Sequence, residues 1–317
     1  MKLLRALLAL LLIPFLTVAV HAAPAKKRIA LTFDDVPRMP GAFFTPEERT
    51  RRLIAALRRS GARQAAFFIT TGNLDQPYGK GGEQRIAAYV RAGHVIANHS
   101  YSHRHLSQLT PEEYVADLDK AAAWLKGRTG SRPWYRYPFL DEGFSDIAKR
   151  DALRAALRAR GLHNGYVTSD SNDWLMEALA VDAKRAGQPI DLKALRDLYV
   201  RTVLGAADFY DALARKTLGR SPIQVMLMHE TDLEAMFVAD AVKALKADGW
   251  EIVSADRAFA DPISREEPNS VRTSMGQIAA MADARGVPVR QLYGPSFHEE
   301  AIKHAFATEV LHKAPAP

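Results

Sequence analysis

Between residues 27 and 253 short apolar runs alternate with longer amphipathic stretches, about seven times over. Few architectures accept that rhythm. A short run that is apolar on both sides reads as a strand of a parallel sheet. The amphipathic stretch after it reads as the helix that carries the chain back to begin the next strand. Strands are expected at 28–33, 64–69, 94–98, 134–137, 165–168, 223–228 and 250–253. Helices are expected at 45–61, 83–91, 110–127, 147–160, 191–218 and 232–248. Thr45-Pro46-Glu47-Glu48 and Thr110-Pro111-Glu112-Glu113 open two of these helices in one way. Each has a hydroxyl at the cap, Pro in the first turn and Glu three residues on.

The fold class is therefore α/β. A barrel of parallel strands fits better than an open nucleotide-binding sheet, because no Gly-x-Gly-x-x-Gly turn follows the first strand. With 317 residues, 48% of them hydrophobic, one large domain can bury its own core. It must do so by packing alone, for there is no cysteine. Residues 264–317 read as an appended extension with one helical stretch (275–285) and a mobile Pro-Ala tail.

Before the first strand, Lys2 and Arg5 precede an apolar run over 6–20, and Val20-His21-Ala22 sets small residues where a signal peptidase reads. Residues 1–22 are thus expected to be a cleaved leader, and the mature protein to be exported, periplasmic or secreted. An uncleaved anchor is the alternative, but a membrane span needs roughly 20 apolar residues. The formal net charge of +7 falls to +5 once the two basic residues of the leader leave. The remaining surplus is spread over helix-like spacings, and no basic motif interleaved with aromatics suggests nucleic acid. Nothing in the pattern signals an oligomeric state.

Ionisable residues gather where the strands end. Asp34-Asp35 closes the first, His99 and His103 follow the third, Arg136 the fourth, Asp170 and Asp173 the fifth, and His229 the sixth. In parallel α/β barrels those ends converge on one pocket. His99 and His103, four apart, would share a helical face if that segment were helical, near enough to share a metal. Two adjacent carboxylates repel unless a positive charge or a shared proton offsets them. A divalent cation meets both needs. One carboxylate and two imidazoles would hold it, and the other carboxylate would act as general base on water. Zinc is the default for such nitrogen and oxygen donors, and other transition ions suit them too.

Five segments in order, Thr32-Phe33-Asp34-Asp35, His99-Ser100-Tyr101-Ser102-His103, Arg136-Tyr137-Pro138-Phe139, Asp170-Ser171-Asn172-Asp173-Trp174 and Leu227-Met228-His229, resemble the motifs of the polysaccharide deacetylases. These are the NodB-type domains of carbohydrate esterase family four. The resemblance spans about 28–260. It implies a distorted (β/α) barrel of about seven parallel strands, here 27–263, that hydrolyses N- or O-linked acetyl groups on an acetylated glycan. By the same resemblance Asp34 is the base, Asp35, His99 and His103 hold the metal, and His229 is the acid. Arg136 would hold Asp34 and Asp173 would hold His229. The Phe139 backbone N–H would meet the oxyanion, and Trp174 and Leu227 would receive the acetyl methyl.

The sequence departs from the family pattern in three places. Phe139 stands where many relatives have Tyr, Glu230 follows His229 where Asp is common, and residues 175–222 are richer in helix than a minimal barrel needs. The neighbouring histidines His94, His105 and His163 read as structural. So do His298 and His304, which do not share a helical face. A same-fold hydrolase of another non-peptide C–N bond and a catalytically silent glycan-binding protein are the alternatives. The leader argues against the first, and the full set of base, ligands and acid against the second. No Gly-x-Ser-x-Gly or His-Glu-x-x-His occurs, which disfavours serine esterases and zincin proteases.

Overall fold

A computed structural model describes residues 26–314; the expected leader and the last residues of the Pro-Ala tail lie outside them. The strands are β1 (Lys27–Val36), β2 (Ala66–Ile69), β3 (Val95–Asn98), β4 (Ser131–Tyr135), β5 (His163–Asn164), β6 (Ser169–Asp170), β7 (Ile223–His229) and β8 (Trp250–Ile252). The helices between and beyond them are α1 (Pro46–Ser60), α2 (Gly82–Arg91), α3 (Pro111–Leu125), α4 (Ile147–Ala159), α5 (Asp173–Arg185), α6 (Leu192–Leu218), α7 (Asp232–Ala247), α8 (Ala255–Phe259), α9 (Gln277–Ala284) and α10 (Glu299–Ala305). The helix openings behave as their sequences dictate. Thr45 and Thr110 accept the N–H groups of Glu48 and Glu113, the second completing a reciprocal capping box.

All pairings are parallel, in the order β5-β4-β3-β2-β1-β7-β6. β8 adds to the edge of β1 that β2 leaves open, opposite Lys27 to Ile29. The sheet is curled. β4 and β1 are three strands apart, roughly 14 Å in a flat sheet, yet the side chain of Arg136, just past β4, reaches Thr32 and Asp34 of β1. The two ends of the sheet are joined by residues 165–168. Gly165 N–H bonds to Tyr135 O beside β4, and Thr168 N–H to Val225 O in β7.

That join corrects one expectation. Residues 165–168 are not a strand; two-residue strands flank them instead. Their apolar character is real, since Tyr166 and Val167 are buried. The segment is buried as the closure of the barrel, with the Gly165 and Tyr166 carbonyls turned to the Arg136 guanidinium rather than to a neighbouring strand.

The two faces of the sheet have separate cores. Outward, Ile29, Leu31, Phe33, Phe67, Ile96 and Met228 pack under α1, α2, α6 and α7. Inward, small residues such as Ala30, Ala66 and Ala97 leave room for the curl, and Phe68, Val225 and Phe259 fill it. The same inward face of β1 runs on through Thr32 to Asp34, so the apolar interior gives way to polar groups at the C-terminal mouth. The C-terminal extension joins this inner core: Ile278, Met281 and Leu292 are buried in it. Among the described residues no helix is long and apolar enough to cross a membrane.

Candidate active site and metal cluster

Adjacent residues of a regular strand point to opposite faces, so Asp34 and Asp35 should part company. The end of β1 prevents this. Against β2 the register slips between Phe33 and Val36, and Asp35 has a left-handed φ of 65°. An extra residue in the strand re-aims the side chain, as bulges do. Both carboxylates consequently line one cleft of about 410 Å³, together with His99, His103 and His229.

Asp34 is 3% exposed, with Oδ1 taking a 2.7 Å bond from Arg136 Nη1. Arg136 is itself fully buried, bonds also to Thr32 Oγ1 and to the Gly165 and Tyr166 carbonyls, and lies 3.8 Å over the Phe68 ring. Its fork is therefore fixed, and Asp34 with it.

Asp35, His99 and His103 offer one ligand atom each, all within 4.8 Å of one another. His99 Nδ1 sits 2.9 Å from the Arg136 carbonyl, which can only accept, so Nδ1 carries the proton and Nε2 keeps its lone pair. That Nε2 faces Asp35 Oδ1 at 3.6 Å, and His103 Nε2 does so at 3.0 Å. Asp35 Oδ1 is nonetheless buried without a hydrogen bond. An orphaned carboxylate oxygen facing two imidazole nitrogens is a donor set that fits a divalent cation. Burial works against the charged form of Asp35, but the His103 and His99 imidazoles and Arg38 outweigh it and hold the carboxyl well below its usual range.

The histidine pair is not helical, which corrects the spacing argument. Residues 99–103 form a loop with left-handed φ at Ser100 and His103, pinned by side chains. Asn98 Oδ1 accepts from Ser100 N–H, Ser100 Oγ from His103 N–H, and Asp117 from the N–H groups of Tyr101 and Ser102.

On the opposite wall the β1–β7 register sets Asp34 beside His229. Asp173 accepts both the His229 backbone N–H (2.7 Å) and its ring Nδ1 (2.9 Å), leaving Nε2 to work at the cleft. Burial alone would lower the imidazole, but Asp173 outweighs it and pushes His229 up to about 9. Asp170, also at the cleft, is raised to about 6 by burial and by the Asp173 and Asp34 carboxylates. Trp174, Leu227 and Phe139 line the same cleft.

Sequence reasoning passed over several neighbours. Arg38 contacts Asp35 Oδ2, and its own N–H is held by Glu230, which also accepts from Tyr89 and Thr50. The place of Glu230 directly after His229 was the available signal. Ser274, Phe297 and Glu299 bring the C-terminal extension to the cleft wall. Ser296 donates to Asp170 O and accepts from Asn172. No motif marks them.

The site thus sets three donors that fit a cation beside a carboxylate that Arg136 holds and an imidazole that Asp173 holds. Residues 21–160 match the model of the family described as polysaccharide deacetylase. Over those residues the chain is similar to that family. It is similar to chitin deacetylase 3 of Cryptococcus neoformans, 28% identical over 75% of this chain and 50% of the relative. It is also similar to a peptidoglycan-N-acetylglucosamine deacetylase of Bacillus cereus, 32% identical over 36% of each chain. The chain thus spans about half the length of the first relative and about a third of the second. Among solved structures it shares its fold with a carbohydrate esterase family four pseudoenzyme of Bacillus anthracis (TM-score 0.50, 18% identity, 75% of this chain and 66% of that one). A mutant of that protein with restored enzymatic activity gives a TM-score of 0.51 at 19% identity, over 75% of this chain and 69% of that one.

Proposed function

We propose that the chain is a metal-dependent hydrolase that removes acetyl groups, N- or O-linked, from an extracytoplasmic polysaccharide. The names of its relatives favour N-acetyl groups on an N-acetylglucosamine polymer. The observation that carries the reading is that one cleft holds the Asp35–His99–His103 cluster, the Arg136-held Asp34 and the Asp173-held His229. Shared fold alone would not carry it, since a pseudoenzyme has that too.

Asp35, His99 and His103 would hold a divalent cation, zinc by the donor set, which when bound polarises the acetyl carbonyl and makes water more acidic. Asp34 takes the proton of the attacking water as its oxygen bonds to the acetyl carbon. The Phe139 backbone N–H meets the charge that develops on the carbonyl oxygen, and Trp174 and Leu227 enclose the methyl. As the bond from carbon to nitrogen (or ester oxygen) breaks, His229 protonates the leaving atom, and acetate and the free amine or hydroxyl depart. In this reading the deacetylase domain is 27–263, Ser274, Phe297 and Glu299 of the C-terminal extension add a wall to its cleft, and the 1–22 leader delivers the protein outside the cytoplasm.

The test is acetate release from a panel of acetylated glycans, with chelator, with zinc restored, and with Asp34→Asn. Chelation should abolish release and zinc should restore it. Asp34→Asn should keep stoichiometric metal yet lose roughly a hundred- to ten-thousandfold in rate, the usual contribution of a positioned base. Bound metal with no release from any glycan would sink the assignment.

A further inference from the structure

A row of rings, half-buried at His103 and His105 and exposed at Phe139 and Phe144, runs outward from the Asp35–His99–His103 cluster. The His103 ring lies 4.6 Å from Phe139, edge to face. Phe139 stacks on His105 with centroids 3.7 Å apart and planes 10° apart, and Phe144 follows His105 at 6.2 Å. Phe139 is 49% exposed and Phe144 38%. Phe139 lines the cleft, whereas His105 and Phe144 lie outside its lining, so the row leads over the rim.

The backbone holds these rings out against its own preference. Phe139, Leu140 and Phe144 have φ of 57°, 53° and 47°, in the left-handed region that disfavours every residue but glycine. Asp141, fully buried between them, fixes the loop from beneath. Its Oδ1 accepts from Gly143 N–H at 2.7 Å, and its Oδ2 lies 3.3 Å from both Ser107 N and His105 Nδ1. The platform is therefore set before any ligand arrives. Strain and exposed aromatic surface are both retained where something else uses them.

We infer that His105 and Phe144, continuing from Phe139, form a stacking platform for the sugar ring next to the one being deacetylated. A pyranose has an apolar C–H face that an aromatic ring covers while its hydroxyls stay in water. The preferred substrate is then a chain of sugars laid outward over this loop rather than an isolated acetylated sugar. The inference rests on the deacetylase reading and names a specificity element of that site.

The experiment titrates N-acetylglucosamine oligomers of two, four and six sugars into the metal-loaded wild type and into Phe144→Ala, Phe144→Leu and Phe144→Trp. Acetate release from the panel of acetylated glycans by the wild type is followed in parallel. The wild type should bind the hexamer at least about tenfold more tightly than the dimer. Phe144→Ala and Phe144→Leu, which lose the ring face, should each cut that ratio by roughly tenfold, and Phe144→Trp should keep it. A wild-type ratio near one, no binding of any oligomer, or an unchanged ratio in both ring-less variants overturns the platform. If release from any glycan of the panel persists, the failure is confined to the platform; if metal-loaded protein releases acetate from none of them, the deacetylase reading falls with it.

Discussion

His94 and His229 show how much one neighbour decides. His94 has no carboxylate beside it, accepts a bond from Ala65 N–H, and is lowered by burial to about 4. His229 is half-buried at the cleft, yet Asp173 outweighs the cost of lost solvent and raises it to about 9. An acid that protonates a leaving group must carry its proton at working pH, so His229 can serve where His94 could not. The sign of the pH dependence follows. A raised imidazole is charged below its folded value and loses that charge, and the stability it brings, as pH climbs through about 9. Asp173→Asn removes the raising cause and leaves the burial. The alkaline limb of the rate profile should then move down towards or below the ordinary histidine value of roughly 6.5. The measurement is kcat/KM against pH at saturating metal for both proteins; an unmoved limb would assign it to another group.

At the scale of elements, the loop after β3 matters more than any helix. The imidazoles of His99 and His103 depend on backbone that Asn98, Ser100 and Asp117 hold in an uncommon conformation. Asp117→Ala frees the N–H groups of Tyr101 and Ser102 and should weaken metal binding by about tenfold or more, as loss of outer support typically does. Competition with a chromophoric chelator would measure this, and a wild-type affinity would show the loop to be self-supporting. This is also where legibility ended. The alternation of strands and helices, the helix caps and the gathering of polar groups at strand ends were readable, because apolar period and capping residues are local signals. The loop conformation was not, since Ser100 and His103 are not glycines and a spacing of four fits helix and loop alike. The bulge at Asp35 depends on the register of β2, a partner that the sequence of β1 does not name. The 165–168 segment was misread for the same reason: its burial was legible, its hydrogen-bond partners were not.

At the scale of the molecule, the extension packs into the inner core of the barrel. Ile278 is fully buried and packs with the inner-face cluster that includes Phe68, Trp134 and Val225. Gln277 N–H bonds to Val167 O at the closure of the sheet. The sequence made the segment look appended because it follows the last strand, and its apolar spacing does not say which surface it covers. Ile278→Ala should cost about 2–5 kcal/mol of unfolding free energy, the range for emptying a packed aliphatic site. Denaturant titration would read it, and a loss under about 0.5 kcal/mol would mean that the extension stands off the core.

The pairing of β1 with β7 also carries a consequence for biosynthesis. β1 is the first of the described strands, and its longest partner is β7, formed by residues 223–229. Pairings so distant along the chain close slowly. A growing polypeptide would thus hold His99 and His103 well before it holds His229, and β1 would wait on translation for a neighbour. Any product terminated before β7 would lack both His229 and the strand that completes the sheet, and would leave β1 with an unpaired edge open to other chains.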